Sequence, residues 1–282
     1  MKKIAIVGAG VMGSDVALNF SAFGYEVILK DIDQNILIKA KNKMENDFRM
    51  YKMMNSEFRK LEFKEIINNI HFTLDYSTFN DVDLVVENIV EDFTLKEKVY
   101  KELEKHCPSK VIYAVNTSCL PITKIASVLK RKEKVVGVHF MNPVPLKKMV
   151  EVVKGFHTSK ETIDSIKSIL SEIKKTSIVV NDSPGFVANR LSHLFMNEAA
   201  FLVQENIASP KEIDMIFKKG YGHAMGPLET ADLIGLDTVM NSLEVLYENF
   251  QDIKFRCCPL LRKMVDAGLL GKKSGEGFYN YK

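Results

Sequence analysis

The chain has 282 residues, of which 46% are hydrophobic and 27% are charged. This composition is typical of a globular protein with about two domains and excludes fibrous, collagen-like and disordered chains. The 39 Lys and Arg residues and the 36 Asp and Glu residues leave a net charge of +3 that is spread along the chain, so nucleic acid is not an expected partner.

The beginning of the chain argues against export. The segment MKKIAIVGAG turns to glycine where a signal peptide would continue its apolar run. No stretch of about eighteen residues is continuously apolar, which is the length that a membrane span needs. We therefore expect no membrane span and a cytoplasmic location.

Short β-branched runs alternate with amphipathic segments through the first part of the chain. The runs are KIAIVG, EVIL, DLVVE, VIYAV, KVVGVHF, MVEVV and TSIVV. Such alternation is typical of βαβ units, in which helices cover both faces of a parallel sheet. The sequence therefore predicts an α/β domain with a mainly parallel sheet.

The strand-like runs stop after Val180, and a Ser-Pro-Gly segment interrupts the pattern. From Phe186 to about Gly268 the apolar residues recur at helical spacing. We therefore predict two domains, an α/β domain over 1–183 and an all-α domain over 184–282.

A GxGxxG segment runs from Gly8 to Gly13, between the first predicted strand and a predicted helix. In such a loop the first glycine allows a tight turn, the second lets the backbone approach a pyrophosphate, and the third permits close packing of helix and strand. The N-terminus of the helix adds oriented N–H groups. The cofactor contacts predicted here are Gly8, Gly10, Val11, Met12 and Gly13.

Asp31 lies eighteen residues after Gly13, where the second predicted strand ends. A carboxylate at this point accepts hydrogen bonds from the ribose hydroxyls of the adenosine and repels a 2′-phosphate. The first domain is therefore predicted to be Rossmann-type and to bind NAD in preference to NADP.

His139 ends the run KVVGVHF, and the carboxyl ends of strands in an open α/β sheet face the ligand crevice. Glu151 lies twelve residues further on, in another predicted strand, so a hairpin-like return would bring its carboxylate to the imidazole. Such a pair would fix the tautomer of a general base and stabilise its protonated form. The alternative is a structural histidine that is simply hydrogen-bonded.

Two polar positions lie where a ligand crevice would reach. Asn116, Thr117 and Ser118 follow the run VIYAV, and Asn189 lies near the start of the helix that opens the second domain. Each has a simpler interpretation as well. Ser118 could cap the helix that follows, and Asn189 could face solvent.

Cysteine and histidine spacing indicates no metal site. The four cysteines form no CxxC pair, and the six histidines form no HxxxH or HExxH pair. We expect reduced thiols and no bound metal.

Taken together, the chain resembles the L-3-hydroxyacyl-CoA dehydrogenases, and most closely their bacterial 3-hydroxybutyryl-CoA members. The resemblance covers essentially the whole length, and its segments stand in the order and spacing of the family. They are GAGVMGS, VVENIVED, NTS, VVGVHFMNPVP, MVEVV, SPGFVANR, MGPLETADLIGLD and GKKSGEGFYNYK.

The resemblance implies an NAD-dependent oxidoreductase that interconverts (S)-3-hydroxybutyryl-CoA and acetoacetyl-CoA. It implies that the helical domain forms a homodimer and contributes to the substrate cleft. It further implies that His139 and Glu151 form a catalytic dyad and that Ser118 and Asn189 hydrogen-bond the reacting oxygen. The cofactor contacts that it adds to the glycine loop are Asp31, Glu91, Lys96, Asn116, Ser118 and Asn142, and Asn142 also lines the substrate site.

One region departs from the pattern of the family. Met50 and Met54 stand in a predicted helical hairpin where close relatives carry lysines that meet the coenzyme A phosphates. The neighbouring Arg49 and Lys52 are expected to take this role, since a mobile cation need only come near a phosphate. The methionines, with Met53, are interpreted as core packing between two helices.

These departures keep two alternatives open. The methionines suit a dehydrogenase of the same fold that acts on a free 3-hydroxy acid, a sugar acid or carnitine. Asp15 replaces a glycine that commonly follows the glycine-loop core, and it suits a catalytically silent paralogue that still binds nucleotide.

Overall fold

The β-branched runs form the strands of one sheet in the computed structural model, which describes residues 2–281. The strands are β1 (Lys3–Val7), β2 (Glu26–Lys30), β3 (Ile70–Thr73), β4 (Leu84–Glu87), β5 (Ile112–Val115), β6 (Val135–Phe140), β7 (Met149–Lys154) and β8 (Thr176–Asn181). The sequence pattern missed β3, which is short and mostly half-buried or exposed.

The sheet has the order β3-β2-β1-β4-β5-β6-β7-β8. Neighbouring strands are parallel except β6 and β7, which run antiparallel. The strand order runs outward from β1 in two directions, so the carboxyl ends of β1 and β4 lie at the topological switch point where open α/β sheets bind ligands. The predicted α/β class and mainly parallel sheet are confirmed.

Helices follow most of these strands and bury their apolar faces on the sheet. They are α1 (Val11–Ala22), α2 (Gln34–Met54), α3 (Phe63–Asn68), α4 (Phe93–His106), α5 (Ile122–Ala126) and α6 (Lys160–Glu172). Val16, Leu18 and Phe20 of α1 pack in one buried cluster with Ile4 and Ile6 of β1. This packing fixes the start of α1 at the carboxyl end of β1.

A second unit begins at Ser183, after the first ends at Asp182. Its helices are α7 (Ala188–Gln204), α8 (Pro210–Met215), α9 (Pro227–Ile234), α10 (Leu236–Phe250) and α11 (Pro259–Asp266). The last described residues fold back on α9, where buried Asp232 accepts hydrogen bonds from the backbone N–H groups of Phe278 and Tyr279 at 3.0 Å each. The predicted helical character of this region is confirmed.

The lengths and apolar stretches of the helices bear on membrane association. Over residues 2–281, none of the helices combines the length and the apolar character that crossing a membrane requires.

Candidate active site

The glycine loop joins β1 to α1. Gly8 has a φ of +93°, and a Cβ atom on Gly13 would lie 1.8 Å from the Gly8 carbonyl oxygen, so both positions need glycine. A Cβ atom on Gly10 would instead meet no described atom within 4 Å, which shows that space opens in front of the loop there. Because α1 begins at Val11 and no side chain of the described residues caps it, its first N–H groups fit a pyrophosphate.

Asp31 directly follows β2, and its carboxylate is tied to the glycine loop. Oδ2 accepts a hydrogen bond from the Ala9 N–H at 2.6 Å, and Oδ1 accepts one from the Ile32 N–H at 2.6 Å. The ammonium of the preceding Lys30 lies 4.1 Å from the ring centre of Tyr76, and burial lowers its pKa. An ordered carboxylate at this strand end fits the ribose of a dinucleotide, and the ribose contact itself stays a prediction.

Asp15 faces α2 and not the glycine loop. Its buried carboxylate accepts hydrogen bonds from the Lys43 ammonium at 2.9 Å and from the Tyr51 hydroxyl at 3.2 Å. Burial raises the pKa of the Asp15 carboxyl, and Lys43 opposes this shift. The acidic residue in the first turns of α1 therefore joins two helices, so it gives little support to a silent paralogue.

The predicted hairpin-like return is present between β6 and β7. It places Glu151 directly opposite His139, where side chains point to the same face of the sheet. Glu151 Oε2 lies 2.7 Å from His139 Nδ1, and both side chains are buried. A carboxylate at this distance favours the tautomer that carries its proton on Nδ1, and the catalytic role of the pair stays a prediction.

The polar segment after β5 is held by contacts with neighbouring strand ends. The Asn116 amide donates to Asn88 Oδ1 at 2.6 Å, and its oxygen accepts from the Phe140 N–H at 3.4 Å. The helix that follows, α5, begins after Pro121, and the Asp182 carboxylate caps it by accepting hydrogen bonds from the N–H groups of Ile122 at 3.0 Å and Thr123 at 2.7 Å. The interpretation of Ser118 as a helix cap is therefore wrong.

Glu91 binds this same segment. Its Oε1 atom accepts hydrogen bonds from the Ser118 N–H at 2.9 Å, the Cys119 N–H at 3.0 Å and the Thr117 hydroxyl. The resemblance predicts a cofactor contact for Glu91. In the structure, one carboxylate oxygen of Glu91 already accepts the hydrogen bonds of this turn. The sequence pattern did not indicate this contact.

Lys96 on α4 lies beneath this region in a buried ion pair with Glu87, the last residue of β4. Its Nζ atom donates to the two carboxylate oxygens of Glu87 at 2.7 and 2.8 Å, and both side chains are fully buried. Burial raises the pKa of Glu87, and Lys96 opposes this shift. The predicted contact of Lys96 with the cofactor stays a prediction, whereas its partner Glu87 was missed. The signal for Glu87 was an acidic residue closing the apolar run LVVE.

The methionines of α2 correct the sequence interpretation. Met50, Met53 and Met54 are 37%, 72% and 64% exposed, so core packing is wrong for them. The residues of α2 that do pack inward recur every three or four positions; they are Leu37, Ala40, Met44, Phe48 and Tyr51. The methionines fall off this stripe and face solvent.

The predicted substrate-site cations lie on the same helix. Arg49 is exposed, and the Lys52 ammonium is 2.9 Å from the carboxylate of exposed Glu62. Asn142 is exposed just after β6, while Asn189 is the second residue of α7 in the other unit. Within the first unit, His139 and Glu151 therefore lie together near the carboxyl end of β6, and the residues around Asn116 follow the neighbouring strand β5.

Within residues 2–281, no group of three or more His, Cys, Asp and Glu side chains could hold a metal ion.

Comparison with known proteins places this geometry in a family. Residues 3–183 match the family model described as 3-hydroxyacyl-CoA dehydrogenase, NAD binding domain, and residues 185–281 match that of 3-hydroxyacyl-CoA dehydrogenase, C-terminal domain. A probable 3-hydroxybutyryl-CoA dehydrogenase of Bacillus subtilis is 42% identical over 100% of this chain and 98% of its own length. The 3-hydroxybutyryl-CoA dehydrogenase of Clostridioides difficile is 41% identical over 99% of both chains.

A solved structure shows the same fold. The (S)-3-hydroxybutyryl-CoA dehydrogenase PaaH1 of Ralstonia eutropha is 37% identical and superposes with a TM-score of 0.92, over 100% of this chain and 99% of that one. The two family models together match residues 3–183 and 185–281. The relatives and the Ralstonia structure match 99–100% of the chain. The chain therefore belongs to the 3-hydroxyacyl-CoA dehydrogenase family and is an NAD-dependent oxidoreductase.

Proposed function

We propose that the chain interconverts (S)-3-hydroxybutyryl-CoA and acetoacetyl-CoA, with NAD as the hydride carrier. The observation that carries this proposal is the buried contact of 2.7 Å between Glu151 and His139, in a chain that resembles 3-hydroxybutyryl-CoA dehydrogenases from end to end. An alcohol oxidation needs a group that accepts the hydroxyl proton near neutral pH, and imidazole does this.

NAD supplies the hydride acceptor in the oxidation and, in its reduced form, the hydride donor in the reduction. His139 takes the 3-hydroxyl proton at Nε2 during oxidation, because Nδ1 is engaged by Glu151. In the reverse direction the imidazolium returns that proton to the 3-keto oxygen. Glu151 offsets the positive charge of the imidazolium, which is costly in a buried position without a counter-charge.

The remaining assignments rest on the resemblance and on the local structure. Ser118 and Asn189 would donate hydrogen bonds to the reacting oxygen, and Asn142 would line the substrate site. Asn116 and Glu91 lie beside Ser118, which supports their place near the cofactor. Asn189 belongs to the other unit and is assigned from its place in the segment SPGFVANR.

Coenzyme A would be recognised through its phosphates by Arg49 and Lys52. The Lys52 ammonium is paired with Glu62, whose side chain is 73% exposed. Because exposed ion pairs contribute only about 0–1 kcal/mol, Lys52 can exchange this partner for a phosphate at little cost.

A homodimer through the helical unit forms part of this proposal. The helices of this unit expose large apolar side chains that a monomer would leave in water; they are Leu191, Met215, Ile216 and Leu233. A patch formed by such side chains together would be typical of a protein interface, and C2 dimers are the commonest closed assembly.

The proposal is tested by the loss of NADH absorbance when the purified protein meets acetoacetyl-CoA. Free acetoacetate with NADH and acetoacetyl-CoA with NADPH are measured in parallel. We expect rapid turnover only with the thioester and NADH. Measurable NADH binding without turnover of either substrate would overturn the proposed activity.

The exposed Met50 and Met54 favour a second candidate, in which the same chemistry acts on a free 3-hydroxy acid. A surface that binds coenzyme A phosphates through lysines would carry cations at these positions. Turnover of free acetoacetate at a rate comparable to that of the thioester would support this candidate.

A further inference from the structure

Glu91 closes a turn that carries Ser118. Three hydrogen bonds converge on Glu91 Oε1, from the N–H groups of Ser118 at 2.9 Å and Cys119 at 3.0 Å and from the Thr117 hydroxyl. The Thr117 oxygen in turn accepts the Leu120 N–H at 3.0 Å. Bonds from N–H groups to an ionised carboxylate are stronger than bonds to a neutral acceptor, so one side chain determines the course of the backbone here.

A buried charge lies behind the second oxygen of Glu91. Lys96 Nζ is 3.8 Å from Glu91 Oε2 and is itself held by the two oxygens of Glu87. The Ile89 N–H donates to Glu87 Oε1 at 2.7 Å, which ties the segment after β4 to the same pair. The ammonium therefore lies between two carboxylates, and only Glu91 is partly exposed, with 34% of its side chain accessible.

We propose that Glu91 is a positioning residue for Ser118, and that the buried pair of Lys96 and Glu87 fixes Glu91 in this role. The inference deepens the proposed function and rests on it, because Ser118 is the assigned donor to the reacting oxygen. Glu91 acts through the backbone of Ser118 and Cys119, so its removal misplaces a donor and does not remove one. A shift of about 1 Å in such a group costs up to about 10²-fold in rate.

Paired substitutions at position 117 give the cleanest test. Thr117→Val keeps the side-chain volume but removes the hydroxyl that donates to Glu91. Thr117→Ser keeps the hydroxyl and removes only the methyl group. We expect Thr117→Val to lower kcat for acetoacetyl-CoA reduction about ten-fold or more, while the Kd of NADH changes less than about three-fold. Thr117→Ser should recover most of the loss, which a merely structural role would not predict.

Glu91→Ala removes all three hydrogen bonds and should have a larger effect of the same kind. Glu87→Gln should also lower kcat, because it weakens the pairing that holds the Lys96 ammonium beside Glu91. Glu102→Gln serves as the matched control, since Glu102 is also on α4 and pairs with Lys105 at the surface. It should leave kcat and the Kd of NADH unchanged.

Hydrogen exchange at the amides of Ser118 and Cys119 gives a readout that does not depend on turnover. Exchange should be faster in Glu91→Ala than in the wild type and unchanged in Glu102→Gln. Unchanged exchange in Glu91→Ala would overturn the proposal. A Kd for NADH that weakens in proportion to kcat/KM, with kcat unchanged, would also overturn it, because Glu91 would then be only a cofactor contact.

The same measurements separate this inference from the proposed function. A wild-type protein that does not reduce acetoacetyl-CoA contradicts the proposed function. The exchange rates at Ser118 and Cys119 then still decide whether Glu91 positions this turn.

Discussion

Glu151 and His139 occupy opposite positions of the antiparallel pair β6 and β7, and 2.7 Å separates the carboxylate oxygen from Nδ1. Each side chain is anchored on a strand whose neighbours are buried, so the distance is set by the sheet and not by a flexible loop. A cross-strand carboxylate of this kind holds the imidazole in one orientation and stabilises its protonated form.

His139→Gln and Glu151→Gln should therefore bind NADH as the wild type does but lose about 10²- to 10⁴-fold in kcat. Stopped-flow or steady-state NADH oxidation measures kcat, and fluorescence titration measures the Kd of NADH. His157→Gln is a suitable control, because His157 is exposed on the loop after β7. Loss of NADH binding in the two site variants would instead assign the pair a structural role.

Alanine at two positions of the glycine loop should separate folding from cofactor binding. Gly10→Ala should fold normally, because its Cβ atom meets no described protein atom within 4 Å, yet it should weaken NADH binding about ten-fold or more by filling the space of the pyrophosphate. Gly13→Ala should lower Tm as well, since its Cβ atom would lie 1.8 Å from the Gly8 carbonyl oxygen. Thermal unfolding and NADH titration check both. An unchanged Kd in Gly10→Ala would argue against the pyrophosphate site.

Lysine at the exposed methionines should improve coenzyme A binding. Met50→Lys and Met54→Lys each add a cation beside Arg49 and Lys52, so we expect KM for acetoacetyl-CoA to fall by up to about five-fold with kcat and the Kd of NADH unchanged. The gain should shrink at high salt, which screens exposed charges. Ile38→Lys is the control, because Ile38 is exposed near the other end of α2. An unchanged KM in both variants would mean that this face of α2 does not meet the coenzyme.

The buried Lys175 makes the free energy of unfolding depend on pH in the alkaline range. Its buried ammonium donates to the carbonyl oxygens of Val144 at 2.5 Å and Lys147 at 2.8 Å, in the connection between β6 and β7, and burial lowers its pKa from 10.5 to about 8. The folded chain therefore releases this proton near pH 8, whereas the unfolded chain keeps it until about pH 10.5. In that window the unfolded state binds more protons, so stability rises with pH.

The free energy of unfolding of the wild type, measured against Lys175→Met, should accordingly rise between pH 8 and pH 10, by up to about 1.4 kcal/mol per pH unit. Urea unfolding followed by circular dichroism at several pH values measures the difference. Lys167→Met, an exposed lysine on α6, should show no such trend. A difference that stays constant or falls with pH would contradict the lowered pKa.

The sequence was sufficient for features that repeat along the chain or follow a spacing rule. Alternating β-branched runs predicted the sheet, and the glycines of the loop with Asp31 predicted its ligand-binding edge. The pairing of His139 with Glu151 also followed, because a turn between two strands leaves few ways to return. The strand β3 was missed because only one of its four residues is buried, which leaves little apolar pattern to read.

Side-chain environment was harder to predict. The methionines of α2 were assigned to a core because methionine usually packs inside, yet the inward stripe was already filled by five other residues of that helix. The role of Glu91 depends on contacts with the turn at Thr117, which is 26 to 28 residues away in the sequence. The role of Glu87 depends on the buried Lys96 of α4. Such contacts can be predicted only once the sheet order is known.

The antiparallel step between β6 and β7 also determines which changes this site can tolerate. Because side chains alternate between the two faces of a strand, a slip of one residue would set Val150 or Val152 opposite His139 and turn the carboxylate to the other face of the sheet. The contact between His139 and Glu151 therefore depends on the register of β6 and β7. What selection must preserve is the pairing of the strands, since a single error in register abolishes the pair without altering either residue.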